Sequence, residues 1–355
     1  MNPWPAVVLA AALVTPNLRG VDVSSLARAE TRGAIHRDTQ GRPGDALVIL
    51  RDHGVNAVRL RVWVNPADGA NRIDTVVPMA RRARDLGLDV VIDLHYSDGW
   101  ADPGKQVKPA AWRDLSFAAL TQAVGAHTRA VCESLRTAGV TPRIVQVGNE
   151  INDGLLWPDG RASLSLDRTA ALVAAGAAAV RAASPRSLVM LHLAATDSTA
   201  LRWLLDGLAA RGVQWDVTGL SYYAMWHGNP ARLQRLLDGL AVRYERPVLL
   251  AETAAPFTLA NADAQENVIH EAAQLAAGTA ATPADQAEFV DRIIAILRRV
   301  PRERGWGFFW WEGTWTAVPG NDWDPANPAS GDGWENQALF DFDGRPLPAL
   351  SRFRP

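Results

Sequence analysis

Cysteine is nearly absent from the sequence, since Cys132 is the only one among 355 residues. A single cysteine cannot form an intramolecular disulfide, so the fold has to be held by its core. Cys132 itself is interpreted as a small buried side chain of a helix. A chain of this length buries roughly three quarters of the surface that its unfolded state exposes, which makes cross-links unnecessary.

An excess of charge of either sign is missing as well. The 36 basic and 38 acidic residues give a formal net charge of −2, and the two signs are interspersed. Because there is no basic stripe and no acidic tail, we predict no nucleic-acid partner. After residue 16 no apolar run is long enough to cross a bilayer, so we predict no membrane partner either. We expect a monomer.

The first 16 residues, MNPWPAVVLAAALVTP, have an apolar core of about signal-peptide length. The run Ala10-Ala11-Ala12 offers a cleavage site, but the positive charge that usually precedes such a core is missing. Residues 1–16 are therefore interpreted as a signal peptide or a disordered N-terminus. Residues 17–355 form one domain, and we expect a secreted or periplasmic protein.

Eight short runs, each apolar on both faces, alternate with amphipathic helical patterns along the chain. Strands of an all-parallel sheet have this composition because helices cover both of their faces. Eight alternations favour the α/β class and a single (β/α)8 barrel. The loops after the seventh strand (254–281) and the eighth (315–337) are unusually long, which is typical of functional loops. The predicted strands begin at Gly20, Ala57, Asp89, Arg143, Leu188, Asp216, Pro247 and Trp306.

Two glutamates follow the fourth and seventh predicted strands, in RIVQVGNE (Glu150) and PVLLAET (Glu252). Active sites of such barrels lie at the carboxyl ends of the strands, so these side chains should face each other. Two carboxyl groups about 5–5.5 Å apart suit retaining glycoside hydrolysis, with one as acid/base and the other as nucleophile. A loop salt bridge would explain either glutamate alone, but it explains the pair poorly.

Polar neighbours support a catalytic pair. Arg59 on the second strand is placed to lower the pKa of Glu252 and keep it ionised, although an ordinary ion pair inside the barrel is the alternative. Asn149 offers an amide to a sugar hydroxyl beside the bond that Glu150 would protonate.

Aromatic side chains are concentrated near the same ends, and six of the 14 tryptophans fall between Trp306 and Trp334. Sugar rings stack on aromatic faces, while their hydroxyls bond carboxylates, amides and imidazoles. We assign Trp203 and Trp306 to core packing. The predicted substrate contacts are Arg59, Trp63, His95, Asp98, Trp100, Asn149, Tyr222, Tyr223, Trp226, His227, Trp311 and Trp334.

Histidine and aspartate at strand ends, such as His95 and His192, also fit a metal-dependent hydrolase. The paired H-x-H expected on a first strand is absent, because GVDVSSL (20–26) contains no histidine. We therefore assign His95 to sugar hydroxyls and expect catalysis to need no cofactor.

Taken together, these residues resemble family 53 glycoside hydrolases, the endo-β-1,4-galactanases of arabinogalactan type I. The resemblance extends from Gly20 to Leu350. It implies that Glu150 is the acid/base and Glu252 the nucleophile. The matching motifs are VRLRVWVNP, DLHYSDGWADPGKQVKPAAW, VQVGNEINDGLLWP, GLSYYAMWHG, VLLAET and GWENQALFDFDG.

The sequence departs from the family pattern at the rim. Ala224 stands where proline usually follows the paired tyrosines, and Gly313 stands where proline usually ends YWEP. Bacterial members resemble one another in a calcium site that bridges the last two loops. Here Asp263 and Asn267, in NADAQEN, offer hard oxygen ligands for a structural calcium ion.

Two other functions stay open. One is a different retaining β-glycanase of the same clan, a mannanase or a cellulase. The other is a barrel that binds carbohydrate without cleaving it. The joint presence of Glu150, Glu252, Asn149 and Arg59 argues against the second, since a binding module has no use for a nucleophile.

Overall fold

A computed structural model describes residues 17–321 and 331–355. The predicted signal peptide lies outside them. Eight parallel strands close into a barrel in which each strand pairs with its neighbours in the sequence, and the first pairs with the last. The predicted (β/α)8 barrel is confirmed. The strands are β1 (Leu18–Asp22), β2 (Ala57–Val62), β3 (Asp89–Leu94), β4 (Ile144–Val147), β5 (Leu188–Ala194), β6 (Val217–Ser221), β7 (Val248–Thr253) and β8 (Gly305–Trp310).

Helices surround the barrel, and residues that suit their first positions mark several starts. Thr282 accepts the backbone N–H of Asp285, and Pro283 occupies the first helical position. None of the helices in the described ranges is long and apolar enough to cross a membrane. They are α1 (Leu26–Thr31), α2 (Ala46–Asp52), α3 (Ile73–Asp85), α4 (Phe117–Thr137), α5 (Leu166–Ala183), α6 (Ser198–Ala210), α7 (Ala224–His227), α8 (Pro230–Tyr244) and α9 (Pro283–Arg299).

The loops contain short strands and 3₁₀ helices. Two antiparallel ladders pair His36–Arg37 with Pro43–Gly44 and Gly154–Leu155 with Gly160–Arg161. The 3₁₀ helices are Ala110–Trp112, Ala272–Gln274, Pro301–Glu303, Glu335–Gln337 and Pro348–Phe353.

The inward face of the barrel changes from apolar to polar along the strands. At the amino ends a compact cluster fills the interior, and Gly20 makes room for it, because a Cβ there would lie 2.2 Å from the Phe309 ring. Because successive side chains of a strand point to opposite faces, every second residue toward the carboxyl ends also points inward. The apolar cluster is Leu18, Ala57, Val91, Ile144, Met190, Val217, Leu249, Ala251, Trp306 and Phe309, and the buried polar layer includes Asp22, Arg59, Asp93, Gln146, His192 and Ser221.

The two long loops pack on each other above β7 and β8. The Asn336 side-chain amide donates to the carbonyls of Thr258 and Ile269 at 2.9 and 2.8 Å. The backbone N–H of Asp332 donates to Asp263 at 2.7 Å. These bonds fix the wall of the barrel mouth on the side of the last two strands.

Candidate active site

Glu252 turns toward the barrel axis because the register of β7 shifts. Leu250 packs in the outer core and Ala251 in the interior, so strict alternation would point the next side chain outward. The pairing with β6 shifts between Leu220 and Ser221, which re-aims Glu252 inward. Its Oε1 lies 2.9 Å from Arg59 Nη2, and the Tyr223 hydroxyl donates to its Oε2 at 3.0 Å.

Glu150 reaches the same space through a tight turn after β4. Gly148 has φ +83°, and a Cβ there would lie 2.6 Å from the Ile151 side chain. Glu150 itself has φ +47°, a left-handed conformation that is strained for a non-glycine residue. The turn delivers Asn149 and Glu150 together to the mouth of the barrel.

The two glutamates have different electrostatic surroundings. Burial raises the pKa of Glu150 to about 8, and the negative charge of Glu252 adds to this rise. Burial also raises the pKa of Glu252, but the Arg59 guanidinium opposes that rise. The expected depression of the Glu252 pKa is therefore corrected: Arg59 offsets desolvation rather than outweighing it. The charge of Glu252 thus disfavours ionisation of Glu150.

Arg59 is fully buried among three carboxylates. Its guanidinium nitrogens lie 2.7 Å from Asp22, 2.8 Å from Asp93 and 2.9 Å from Glu252. Burial alone would raise the pKa of Asp93, but Arg59 and His95 bring it well below its usual value. Arg59 thus lies behind Glu252 rather than in the pocket. It forms ion pairs inside the barrel and also opposes the rise in the pKa of Glu252, so both interpretations from the sequence describe part of its role.

Hydrogen bonds hold Asn149 and His95 in one orientation. Asn149 Oδ1 accepts from Arg59 and Gln146, and Nδ2 donates to the carbonyl of Ala101 at 2.8 Å. His95 Nδ1 accepts from Trp63 Nε1 and from the N–H of Ala101, both at 3.2 Å. The His95 Nε2–H therefore donates to Asp93. Because both ring nitrogens are engaged, His95 contributes a rigid wall.

A pocket of about 450 Å³ at the carboxyl ends contains both glutamates. A larger cavity of about 580 Å³ lies between α1 and α3 and contains neither, so we place the chemistry in the smaller one. The smaller pocket is lined by His95, Trp100, Ala101, Asp102, Pro103, Lys105, Asn149, Glu150, Ala194, Tyr223, Trp226, His227, Glu252, Trp311 and Trp334.

Four of the predicted tryptophans form a continuous band along this pocket. The ring centroids of Trp100 and Trp311 are 5.9 Å apart, and those of Trp311 and Trp334 are 4.7 Å apart with perpendicular planes. Trp226 follows at 6.2 Å from Trp334 and is half exposed. Flat apolar faces beside two carboxyl groups suit a sugar chain.

Besides Arg59, three predicted sugar contacts lie outside the pocket. Trp63 is buried beneath Trp100, with ring centroids 5.3 Å apart. Asp98 accepts the backbone N–H groups of residues 65 and 110 and so shapes its own loop. Tyr222 stacks on Phe289 and donates its hydroxyl to the carbonyl of residue 228. These side chains support the walls without facing the space between the glutamates.

The pocket also contains residues that we did not predict. Asp102, Pro103 and Lys105 line it, and all three fall inside a motif that carries the family resemblance. Trp306 is buried as expected, whereas Trp203 is 49 % exposed on α6 and is not a core residue.

The last two loops contain oxygens suited to a cation. Among the described residues, Asn267 Oδ1, Asp332 Oδ2 and Glu335 Oε2 are buried without a hydrogen-bond partner. Burial, Glu335 and Asp263 raise the pKa of Asp332 well above its usual value. Within the described ranges no group of three or more His, Cys, Asp or Glu side chains is placed to hold a metal by itself. A site here would therefore need the Asn267 amide oxygen too, and hard oxygen donors of this kind fit calcium.

Known proteins are similar to this chain in sequence, and one solved structure is also similar in architecture. The glycoside hydrolase family 53 catalytic domain of Ignisphaera aggregans is 37% identical, with a TM-score of 0.92 and 97% of each chain covered. A probable arabinogalactan endo-β-1,4-galactanase A of Aspergillus terreus is 34% identical over 89% of this chain and 90% of its own. An endo-β-1,4-galactanase of Bacillus subtilis is 31% identical over 95% of this chain and 85% of its own.

The family model named Glycosyl hydrolase family 53 matches residues 18–353, which includes the whole barrel and both glutamates. The chain belongs to glycosyl hydrolase family 53 and is a glycoside hydrolase.

Proposed function

We propose that the protein is a retaining endo-β-1,4-galactanase that cleaves the galactan chains of arabinogalactan type I. The observation that carries the proposal is the pair of glutamates in one pocket, where Arg59 pairs with Glu252 and burial raises the pKa of Glu150 to about 8. The galactanase names of relatives at 31% and 34% identity support the choice of substrate.

The first step requires Glu252 as the carboxylate and Glu150 in its protonated form. The Glu252 carboxylate attacks the anomeric carbon, while Glu150 donates its proton to the glycosidic oxygen as that C–O bond breaks. A glycosyl ester on Glu252 and a shortened sugar chain result. Tyr223 and Arg59, which both contact Glu252, hold the attacking carboxylate in place.

Forming the ester prepares the second step. The negative charge of Glu252 disappears, so the pKa of Glu150 falls and its carboxylate can accept a proton from water. That water attacks the anomeric carbon and releases Glu252. Two displacements at one carbon retain the β configuration.

Substrate binding follows from the rest of the pocket. Trp100, Trp226, Trp311 and Trp334 offer faces on which successive sugars stack. Asn149 Nδ2 carries two hydrogens, of which Ala101 takes one, and the other is free to bind a sugar hydroxyl beside the cleaved bond.

A calcium ion between the last two loops is part of the proposal. The predicted ligand Asn267 would hold it together with Asp332 and Glu335, and its charge would compensate the buried carboxylates. Asp263, the other predicted ligand, accepts the backbone N–H groups of residues 265 and 332 instead. The protein should act outside the cytoplasm, because a polysaccharide does not cross a membrane.

The test is hydrolysis of purified galactan beside mannan, xylan and cellulose. We expect galacto-oligosaccharides from galactan and little product from the other three. Cleavage of mannan or cellulose at a similar rate would favour the other activities of the clan. The rim positions Ala224 and Gly313, which depart from the family pattern, would then be the first candidates for the altered specificity. Binding of galactan without hydrolysis would favour a barrel that binds carbohydrate without cleaving it.

A further inference from the structure

A separate depression of about 260 Å³ lies on the side of β5 and β6. It lies between the loop that follows β5 and helices α6 and α8. Its lining residues are Thr196, Asp197, Ser198, Arg202, Arg232, Arg235, Leu236, Gly239 and Leu240.

Three arginines in this depression form no salt bridge with a carboxylate of the described residues. In the described parts of the chain, no carboxylate lies within 4.0 Å of the guanidinium nitrogens of Arg202, Arg232 or Arg235. The charges of Asp197 and Asp206 act on Arg232 and Arg202 from a distance, but their contacts lie elsewhere. Asp197 Oδ1 accepts two backbone N–H groups of α6, and Asp206 contacts a neighbouring arginine and tyrosine. The lining therefore carries three positive charges and one negative charge.

The depression lies close to the substrate cleft. The Arg232 side chain lies against Gly228, since a Cβ at Gly228 would be in van der Waals contact, 3.4 Å from Arg232 Cδ. Gly228 follows His227, which lines the active-site pocket. On the opposite side, Asn152 Nδ2 bonds both the carbonyl of Ala194 in the pocket and the hydroxyl of Thr196 in the depression.

Neutral galactose residues have no use for three unpaired guanidinium groups. Guanidinium groups recognise carboxylates strongly and with defined geometry, and the carboxylate-bearing units of a polysaccharide are uronic acids. We propose that this basic extension binds a uronic acid residue of the chain whose galactan portion occupies the active-site pocket. The proposal rests on the proposed function, and it makes the preferred substrate a galactan joined to an acidic sugar chain.

The experiment compares three substrates: neutral galactan, galactan joined to a uronic-acid-containing chain, and the same material after chemical reduction of its carboxyl groups. The variants are Arg232→Gln and the triple Arg202→Gln/Arg232→Gln/Arg235→Gln. The matched control is Arg136→Gln, an exposed arginine in the last turn of α4 that does not line the depression. Melting temperatures verify that each variant folds.

We expect the wild-type protein to show a lower KM on the acidic substrate than on its reduced form. Each lost arginine should raise the KM on the acidic substrate roughly two- to fivefold at low salt, as for exposed ion pairs. The KM on neutral galactan should stay unchanged in these variants. The control Arg136→Gln should change the KM on neither substrate. Added salt should weaken the preference of the wild type because exposed charges are screened.

An equal KM on the acidic and reduced substrates, or an equal loss on both in the triple variant, would overturn the proposal. If inorganic phosphate at constant ionic strength abolished the preference while the variants kept it, the arginines would bind small anions only and the proposal would also fail. Absence of hydrolysis of neutral galactan by the wild type would instead contradict the proposed function itself.

Discussion

Buried carboxylates gather in two places at the mouth of the barrel, and the two groups differ in their counter-charge. Inside the barrel, Asp22, Asp93 and Glu252 surround the buried guanidinium of Arg59. Between the last two loops, Asp332 and Glu335 are equally buried, yet among the described residues neither forms an ion pair with a basic side chain.

The difference shows what a buried acid needs in order to stay ionised. Desolvation raises the pKa of a carboxyl group unless an opposite charge compensates. Arg59 supplies that charge permanently, so Glu252 can serve as a nucleophile. Asp332 and Glu335 have only a proton or an external cation to balance their negative charge. This suits a structural site in which a bound cation supplies the positive charge.

Removing the nucleophile should have the largest effect. We expect Glu252→Ala to lower kcat on galactan by at least about 10⁴-fold, because no other group can form the glycosyl ester. Added azide should restore turnover of an activated aryl glycoside and give a glycosyl azide of inverted configuration. Retention of a few per cent of activity without azide would remove Glu252 from this role.

Glu150→Ala should separate substrates by their leaving groups. Galactan needs protonation of its glycosidic oxygen, so we expect a loss of about 10²–10⁴-fold, while formation of the ester from a dinitrophenyl glycoside should change little. Azide should here give a glycosyl azide with retained configuration, the opposite of the Glu252 variant. Equal losses on both substrates would contradict the acid/base assignment.

Arg59→Met should leave the carboxylates inside the barrel without a counter-charge, as Asp332 and Glu335 are between the last two loops. Loss of the guanidinium raises the pKa of Glu252, and because activity needs ionised Glu252, the acid limb of kcat/KM should move to higher pH while kcat falls. We also expect a loss of about 3–5 kcal/mol of stability from the uncompensated charges.

Arg61→Met provides the control for that variant. Arg61 is a neighbouring buried arginine that pairs with Glu312 at 3.0 Å and does not contact Glu252. It should destabilise the protein without moving the acid limb. If both variants shift the limb equally, or if neither does, Arg59 is not the residue that keeps Glu252 ionised.

Calcium should affect stability more modestly. Calcium at 100 times its Kd would add about 2.7 kcal/mol by mass action, so a chelator should lower the Tm by a few degrees. Asp332→Asn should abolish this response to chelator. A Tm of the wild type that chelator does not change would remove the calcium ion from the proposal.

The sequence predicted the barrel because its eight strand–helix alternations are local patterns. It predicted Glu150 and Glu252 because strand ends share one edge of the barrel. It could not predict the register shift that turns Glu252 inward, since that shift depends on pairing with β6. The fully buried Asp22 was missed for the same reason: its partner Arg59 lies 37 residues away.

The direction of side chains at strand ends explains the other differences. Adjacent residues point to opposite sides, so Tyr223 reaches Glu252 while Tyr222 packs on the outer core. The sequence gives no sign of which of the two faces inward. Trp63 lies at the mouth but is covered by Trp100, a contact between loops that no local pattern reveals.

Direct titration of the Glu150 carboxyl group tests the division of labour between the two glutamates. The measurement is the ¹³C shift of its carboxyl carbon against pH, assigned with Glu150→Gln and repeated in Glu252→Gln. We predict a pKa of about 8 in the wild type and a clearly lower pKa in Glu252→Gln, where the neighbouring negative charge is gone. A wild-type pKa near the ordinary glutamate value of about 4.3, or a pKa that Glu252→Gln does not change, would contradict the account.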